Sequence, residues 1–383
     1  MAKTLRNNSV PSALDILQST GSVWNKDNQG RVEMALACHD ANDLPRVKDA
    51  GELKVVDGVP VQITHSGLLV KQNGYQGDWM TDIIKGLKGV HEPQEEKVFS
   101  EVLKRVKSGG AMIELGSWWS YYSMWFLQAV KSPRKVICCE PDPENLTLGE
   151  FNMQLNNFTV GKDAIFYNAA GGSEDKKKIS FATEDGTQIK TVIRTVDGIV
   201  KEQKIRQLEI LHIDIQGAEL QALEGALQSI RKGIVRFVFI STHHYVISND
   251  PNIHNKCLKF IEDNNGTIIA QHTVLESSTG DGLIVASFKP VDKDFRVAVS
   301  RQPANDSLFR SAEEDVDILW QEYDRLASRT QEFATKLEAQ QEHIDQLENV
   351  LNQITPLPRH VKKAIRHKLK RVTRKTAHKG TTS

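Results

Sequence analysis

Two short apolar runs in this chain end in acids placed where a sugar-bearing cofactor could be held. The first, Ala111-Met112-Ile113-Glu114-Leu115, turns on Gly116; the second, Val136-Ile137-Cys138-Cys139, ends at Glu140-Pro141-Asp142-Pro143. A strand, a glycine turn, a helix and an acid at the tip of the next strand form the arrangement by which doubly wound α/β domains hold adenosine-containing cofactors. The turn lets backbone approach the ligand, and the second acid accepts from ribose hydroxyls. Here the turn lacks the G-x-G-x-x-G spacing: only Gly116 remains, with Trp118 and Ser120 at later positions. A pyrophosphate needs several close amides from such a loop, so a dinucleotide is disfavoured. A cofactor with adenosine and no phosphate, such as S-adenosylmethionine, fits better.

If such a cofactor gave its methyl group to oxygen, the acceptor hydroxyl would have to be aligned with the donor and relieved of its proton, a task for a positioned base. Asp214 ends the apolar run 208–215, and His243 and His244 follow Phe237-Val238-Phe239-Ile240. Both places are the carboxyl edge of a parallel sheet, where open α/β sheets bind ligands. Asp214 reads equally well as a cap for the helix that follows it, which also carries Glu219 in its first turn. The histidines have the pKa for proton transfer, although a lone histidine is more often structural. The fourth strand ends in Ile-Asp-Ile-Gln and lacks the Asp/Asn-Pro-Pro-aromatic turn of amino-methyltransferases, which argues against N-methylation of bases.

The elements that must position these residues alternate from 111 to 290. Apolar runs at 111–115, 135–139, 164–167, 208–215, 235–240, 266–270 and 282–287 read as buried strands. Helical patterns lie between most of them, at about 119–130, 143–155, 218–231 and 252–263. The expected fold is therefore α/β, a mostly parallel sheet of seven strands covered on both faces. The stretch 171–207 breaks the rhythm and predicts an inserted β-hairpin. Residues 1–90 read as an N-terminal extension packed on the catalytic domain, with a weak helix from Pro11 to Leu17 and short strands at Leu53 to Val56 and Val59 to Thr64. A helix from about Pro93 to Val106 leads into the first strand, and 291–315 reads as a linker.

From Val316 the period changes. Val316, Tyr323, Thr330, Leu337, Ile344 and Leu351 are seven apart, and Leu319, Leu326, Phe333, Gln340, Leu347 and Ile354 repeat the spacing at an offset of three. This a/d array, with Thr330 and Gln340 as polar exceptions and Pro356 and Pro358 beyond its end, predicts a coiled coil over 316–355 that makes the protein a homo-oligomer. Its 39 residues from Val316 to Ile354 would span roughly 58 Å. The alternative is one amphipathic helix folded back on its own domain.

Lysine and arginine balance aspartate and glutamate at 49 each, yet Arg359 to Ser383 holds ten cations and no acid, leaving residues 1–358 at −10. In this basic tail (356–383), Val361, Ile365, Leu369 and Val372 form an apolar stripe. Such a segment binds anionic lipid headgroups or nucleic acid, or is simply solvated. With 39% hydrophobic and 26% charged residues the composition is that of a soluble protein with a real core. No run approaches the roughly 20 apolar residues that span a bilayer. The amino terminus has no apolar leader segment, and the four cysteines show no C-x-x-C spacing. The expectation is a cytoplasmic protein, in peripheral contact with the inner membrane face through its tail, without a structural metal.

Met112-Ile113-Glu114-Leu115-Gly116-Ser117-Trp118-Trp119-Ser120-Tyr121-Tyr122-Ser123, Cys139-Glu140-Pro141-Asp142-Pro143-Glu144-Asn145 and Ile213-Asp214-Ile215-Gln216-Gly217-Ala218-Glu219 together resemble the FkbM-type family of S-adenosylmethionine-dependent methyltransferases. The family pattern runs acid-x-Gly-Ala-Asn-x-Gly-Tyr-Tyr-Ser, Glu-Pro-x-Pro-x-Asn and Ile-Asp-x-Glu-Gly-Ala-Glu. The match covers about 91 to 288, including the lead-in His91-Glu92-Pro93-Gln94-Glu95-Glu96. It implies a class I (Rossmann-like) methyltransferase fold and O-methylation of a sugar or natural-product hydroxyl; we expect a carbohydrate destined for the cell surface. It also implies a cofactor site at Glu114, Gly116, Ser117, Ser120, Glu140, Asp142 and Asn145, with Glu140 on the ribose and Glu114 either holding the cofactor's ammonium or capping a helix.

Trp118 stands where the family has Asn, Ser120 where it has its second Gly, and Gln216 where it has Glu. Tryptophan either walls the cofactor pocket or points into the core. Two rival readings follow from these features: a nucleic-acid methyltransferase that uses the tail on phosphates, and a coiled-coil scaffold that binds the cofactor without catalysis.

Overall fold

The computed structural model describes residues 25–182, 187–303, 306–310 and 312–353, with Val361 and Lys363. The helix expected at Pro11 to Leu17, the heptad position Ile354 and the apolar stripe beyond Val361 lie outside these residues. The long helix at 312–353 belongs to a different unit from Gly21–Ser311, and each is described by itself.

In the larger unit the chain opens with α1 (Asn28–Ala37), then an antiparallel meander of β1 (Leu53–Val56), β2 (Val59–Ile63) and β3 (Leu69–Lys71), then α2 (Asp78–Gly86) and α3 (Pro93–Leu103). The alternating part follows: β4 (Ala111–Leu115), α4 (Tyr121–Ala129), β5 (Lys135–Cys139), α5 (Pro143–Leu155) and β6 (Ala164–Tyr167). A short β7 (Ala170–Gly171) and the hairpin β8 (Lys178–Ala182) and β9 (Gln188–Arg194) form the expected insertion, which leads into α6 (Val196–Glu202). The chain returns to the main sheet with β10 (Leu208–Ile213), α7 (Glu219–Glu224), α8 (Leu227–Arg231), β11 (Val235–Thr242), α9 (Tyr245–Ser248), α10 (Ile253–Asp263), β12 (Thr267–His272) and β13 (Gly282–Ser287).

The seven-stranded sheet has the order β12-β13-β11-β10-β4-β5-β6. The pairs β11–β10, β10–β4, β4–β5 and β5–β6 are parallel, while β13 is antiparallel to both β11 and β12. Central strands are buried on both faces, so β4, β10 and β11 are buried at every residue, which is why they read as continuous apolar runs. Their period of two feeds two cores. Met112, Val136, Ile210 and Phe239 face a cluster with Phe99, Trp119, Tyr121 and Phe126, joined by Val32, Val70 and Met80 of the first 90 residues. Ile113, Ile137, Leu211 and Ile240 face the opposite cluster with Val196, Leu223, Cys257 and Ile261. Each fully buried side chain of this size contributes roughly 1.5–3 kcal/mol.

Polar bonds seat the meander as well. Asn152 of α5 and Asn156 at its C-cap accept from the backbone N–H groups of Lys71 (3.0 Å) and Leu69 (2.8 Å) on β3. Beyond β13, several residues of the stretch read as a linker are buried or hydrogen-bonded to the domain. Phe295, Leu308 and Phe309 are buried, Val297 N–H donates to the Ile269 carbonyl of β12, and Asn25 N–H donates to Leu308. Apolar residues placed within a polar stretch pull it onto the domain.

The strand expected to reach 215 stops at Ile213, because Gln216 (φ 53) and Gly217 (φ 112) turn the chain there. Helix α11 (Ala312–Gln353) runs unbroken for 42 residues and leaves Val316, Tyr323, Phe333, Leu337 and Leu347 exposed. Among the described residues no helix is long and apolar enough to cross a membrane.

Candidate active site

Register brings the site together. Ile213 pairs with Leu115 and Leu115 with Cys139, so Asp214, Gly116 and Glu140 leave the carboxyl edge at the same level. Gly116 (φ 77) lies so close to β10 that a Cβ there would sit 1.7 Å from the Asp214 carbonyl oxygen. Only glycine fits. Its N–H and that of Ser117 both donate to the Cys139 carbonyl, at 2.9 and 3.1 Å.

The turn into α4 then uses two left-handed residues that are not glycine, Trp118 (φ 33) and Ser120 (φ 60). Ser120 stands at the N-cap of α4 but its side chain makes no capping bond. Glu114 supplies one from the strand below, accepting from the Ser123 N–H at 3.1 Å. The capping role open to Glu114 is therefore met by this bond. Burial lifts its carboxyl to about 7, opposed in part by His212 and the bonds to Ser123.

Glu140 accepts from two backbone N–H groups, Trp118 at 3.0 Å and Asp142 at 2.9 Å. Burial lifts it too, to about 7, against the pull of those amides. Asp142 caps α5 by accepting from Glu144 N–H at 2.8 Å, and Asn145 is half-buried in the first turn of that helix. Trp118 is half-buried and meets Tyr75 edge-to-face at 4.9 Å, while Trp119 is buried and stacks on Tyr75 at 4.6 Å.

The second cluster centres on His243. Its Nδ1 lies 2.9 Å from Glu219 Oε1, and its Nε2 lies 3.1 Å from Asp214 Oδ1 and 3.5 Å from Asp281 Oδ1. Burial alone would depress the imidazole, but Asp281, Asp214 and Glu219 override it and hold the pKa well above 6.5. Glu219 is fully buried and also accepts from Gly217 N–H at 2.8 Å. Burial pushes the Asp281 carboxyl up to about 7; His243 opposes this, and Asp214, Glu92 and Glu95 add to it. Asp214 thus joins the histidine, while its backbone N–H donates to Leu115.

His244 turns elsewhere. It stacks on Phe309 at 4.2 Å and accepts from Val246 N–H at the start of α9. Only the first of the two histidines meets the acidic cluster.

Asp281 was not among the residues singled out in the sequence. The signal for it is topological: β13 is antiparallel, so its start lies at the edge where the parallel strands end. Thr242 pairs with Gly282, which sets His243 and Asp281 on either side of one register pair. Beneath them lies a buried network from α3. His212 Nε2 meets Glu95 Oε1 at 2.6 Å, and Glu95 with Glu114 lifts His212 to about 9 in spite of burial. His91 bridges Glu92 and Glu96, whose carboxylates accept from the hydroxyls of Tyr122 and Tyr121. Among the described residues no group of three His, Cys, Asp or Glu is arranged to hold a metal ion, and the four cysteines are free and buried.

The strand order, with its single antiparallel β13, defines a class I methyltransferase fold. Residues 107–267 match the family model of the methyltransferase FkbM domain. The chain is also similar to the methyltransferase FkbM of Methylobacillus flagellatus (20% identity, 55% of this chain and 54% of that one, TM-score 0.36). A second similar structure is an O-methyltransferase of Bacillus cereus in complex with SAH (17% identity, 52% and 82%, TM-score 0.34). A third is the precorrin-6y C5,15-methyltransferase of Geobacter metallireducens (10% identity, 50% and 88%, TM-score 0.31). The match spans about half the length of the Methylobacillus protein. Among curated proteins none matches this sequence.

S-adenosylmethionine is the expected cofactor, and the turn fits it. Ser117 Oγ and Trp118 Nε1 are buried without a hydrogen-bond partner beside the bare backbone of Gly116. Unsatisfied buried polar atoms of this kind ask for a polar ligand. Each carboxylate oxygen of Glu140 carries one backbone bond and keeps capacity for a hydroxyl.

Proposed function

We propose that this protein is an S-adenosylmethionine-dependent methyltransferase that O-methylates a carbohydrate hydroxyl on a surface polysaccharide or glycan precursor. The observation that carries the reading is His243 held between Asp214 and Asp281 at the carboxyl edge, the same edge from which the β4 and β5 tips emerge on the far side of β10. Gly116, Ser117 and Glu140 would hold the cofactor there. When bound it supplies an electrophilic methyl group on a sulfonium.

Asp281 is the proton acceptor in this reading. A carboxyl lifted to about 7 is a stronger base than an ordinary carboxylate and is still ionised slightly above neutrality. His243 keeps it ionisable although Asp214 lies close, and Glu219 fixes the ring by holding Nδ1.

The experiment is incubation with labelled S-adenosylmethionine and separate glycan, lipid-linked glycan and RNA fractions. Label in a glycan fraction supports the reading. Label in RNA alone replaces it with the nucleic-acid rival, and no label despite cofactor binding replaces it with the scaffold.

We also propose that α11 self-associates as a coiled coil and that the basic tail holds the assembly near an anionic membrane carrying a lipid-linked acceptor. The support is the a/d spacing, the apolar residues α11 exposes and the ten cations from Arg359 onward.

A further inference from the structure

The acceptor end of this site is acidic in a way that selects what can enter. Three carboxylates, from Asp214, Glu219 and Asp281, surround the one imidazole of His243. Glu92 and Glu95 add their field to Asp281 from below. The ion-pair partners of these acids are histidines: Glu92 pairs with His91, Glu95 with His212 and the other three with His243. Among the described residues no lysine or arginine pairs with any of the five. The start of α7, which would otherwise offer backbone N–H groups to an anion, is occupied by its own Glu219, whose Oε1 takes the Gly217 N–H.

A second observation concerns donors. Glu219 is fully buried, and its Oε2 has no hydrogen-bond partner. The side chains of Asp214 and Asp281 are 29% and 31% exposed, so carboxylate surface is open to a ligand. Buried or half-buried carboxylate oxygens are satisfied by O–H and N–H donors, and a phosphate or carboxylate brings acceptors and more negative charge.

We propose that the acceptor is a polyol whose methylated hydroxyl lies beside a donor-rich group, with an amino sugar the favoured class, and that phosphorylated, nucleotide-activated and uronic acceptors are rejected. The proposal rests on the methyltransferase reading above. Asp214 and Asp281 take hydroxyl or ammonium donors of the ring, and the half-buried Trp118 and Tyr75 lie on the cofactor side. Charge repulsion from five carboxylates, offset only by the imidazoles of His91, His212 and His243 that are already paired with them, turns anionic sugars away.

The test uses the full chain saturated with S-adenosylhomocysteine, binding of which is first measured by calorimetry. Glucosamine, glucose and glucose 6-phosphate are then titrated and followed by ligand-detected NMR. The expected result is binding of glucosamine at least about tenfold tighter than of glucose 6-phosphate, with glucose between them, and a smaller gap in Asp281→Asn. Equal or tighter binding of the phosphate overturns the proposal, as does binding of none of the three. Failure of S-adenosylhomocysteine itself to bind overturns the methyltransferase reading, and the acceptor proposal falls with it.

Discussion

His243 Nε2 lies 3.1 Å from Asp214 Oδ1, and this pairing ties the end of β11 to the end of β10 at the carboxyl edge of the sheet. Asp214 and Glu219 belong to one short motif, yet they hold opposite nitrogens of the same imidazole. One turn of chain thereby orients the histidine from both sides. The turn is tight because Gln216 and Gly217 are left-handed and a Cβ on Gly217 would strike the Ser248 backbone at 2.6 Å.

Glu140→Ala should weaken S-adenosylmethionine binding by about 1.5–3 kcal/mol, since two ribose hydroxyls lose a charged acceptor. Calorimetry on both proteins checks this. Unchanged affinity would remove Glu140 from the site.

Glu114→Gln should change how stability depends on pH. The folded carboxyl titrates near 7 and the unfolded one near 4.5, so the protonated form favours folding. That contribution is full below about pH 4.5 and is lost as pH rises through 7. The glutamine variant keeps an acceptor for Ser123 N–H and does not titrate. Its stability relative to wild type should therefore grow between pH 5 and pH 8, by up to roughly 3 kcal/mol. Denaturant melts at several pH values measure it, and a constant difference would refute the assignment.

Ser120→Gly should raise the melting temperature. Ser120 holds φ 60 without making a capping bond, and a left-handed non-glycine residue costs about 1–2 kcal/mol. Part of that is returned to glycine's larger unfolded-state entropy, leaving a net gain of about 0.5–1 kcal/mol. A lower melting temperature would show that the hydroxyl has a partner in the free protein.

The main sheet was legible because strands buried on both faces have no polar side to interrupt the apolar run, and Glu140 and Asp214 could be placed because each follows such a run. Asp281 was not, because it precedes its strand, and only the antiparallel direction of β13 brings it to the site. The pair His243-His244 could not be divided by sequence: adjacent residues leave a strand on opposite sides, and Phe309, far along the chain, takes the second ring. Nor could Trp118 be placed, since its left-handed backbone, and the direction that gives its side chain, depends on Glu140 accepting its N–H.

Removal of residues 312–383 should convert an oligomer into a monomer, abolish binding to anionic vesicles and leave cofactor affinity unchanged within about twofold. Oligomerisation multiplies tails, each cation near a charged surface contributing on the order of 1 kcal/mol. Light scattering and vesicle flotation of both proteins decide it. A full chain that is monomeric at micromolar concentration would show that α11 does not self-associate.

In the proposed mechanism Asp281, set beside His243 by the register of β11 and β13, takes the acceptor's proton. The direct measurement is the pH profile of kcat for wild type and Asp281→Asn, with cofactor affinity measured alongside. Wild-type kcat should rise with pH to a plateau through an apparent pKa of about 7. Asp281→Asn should lose about 10²–10⁴-fold in kcat with cofactor affinity within about threefold of wild type. A variant that keeps the wild-type kcat and its pH dependence would contradict the account.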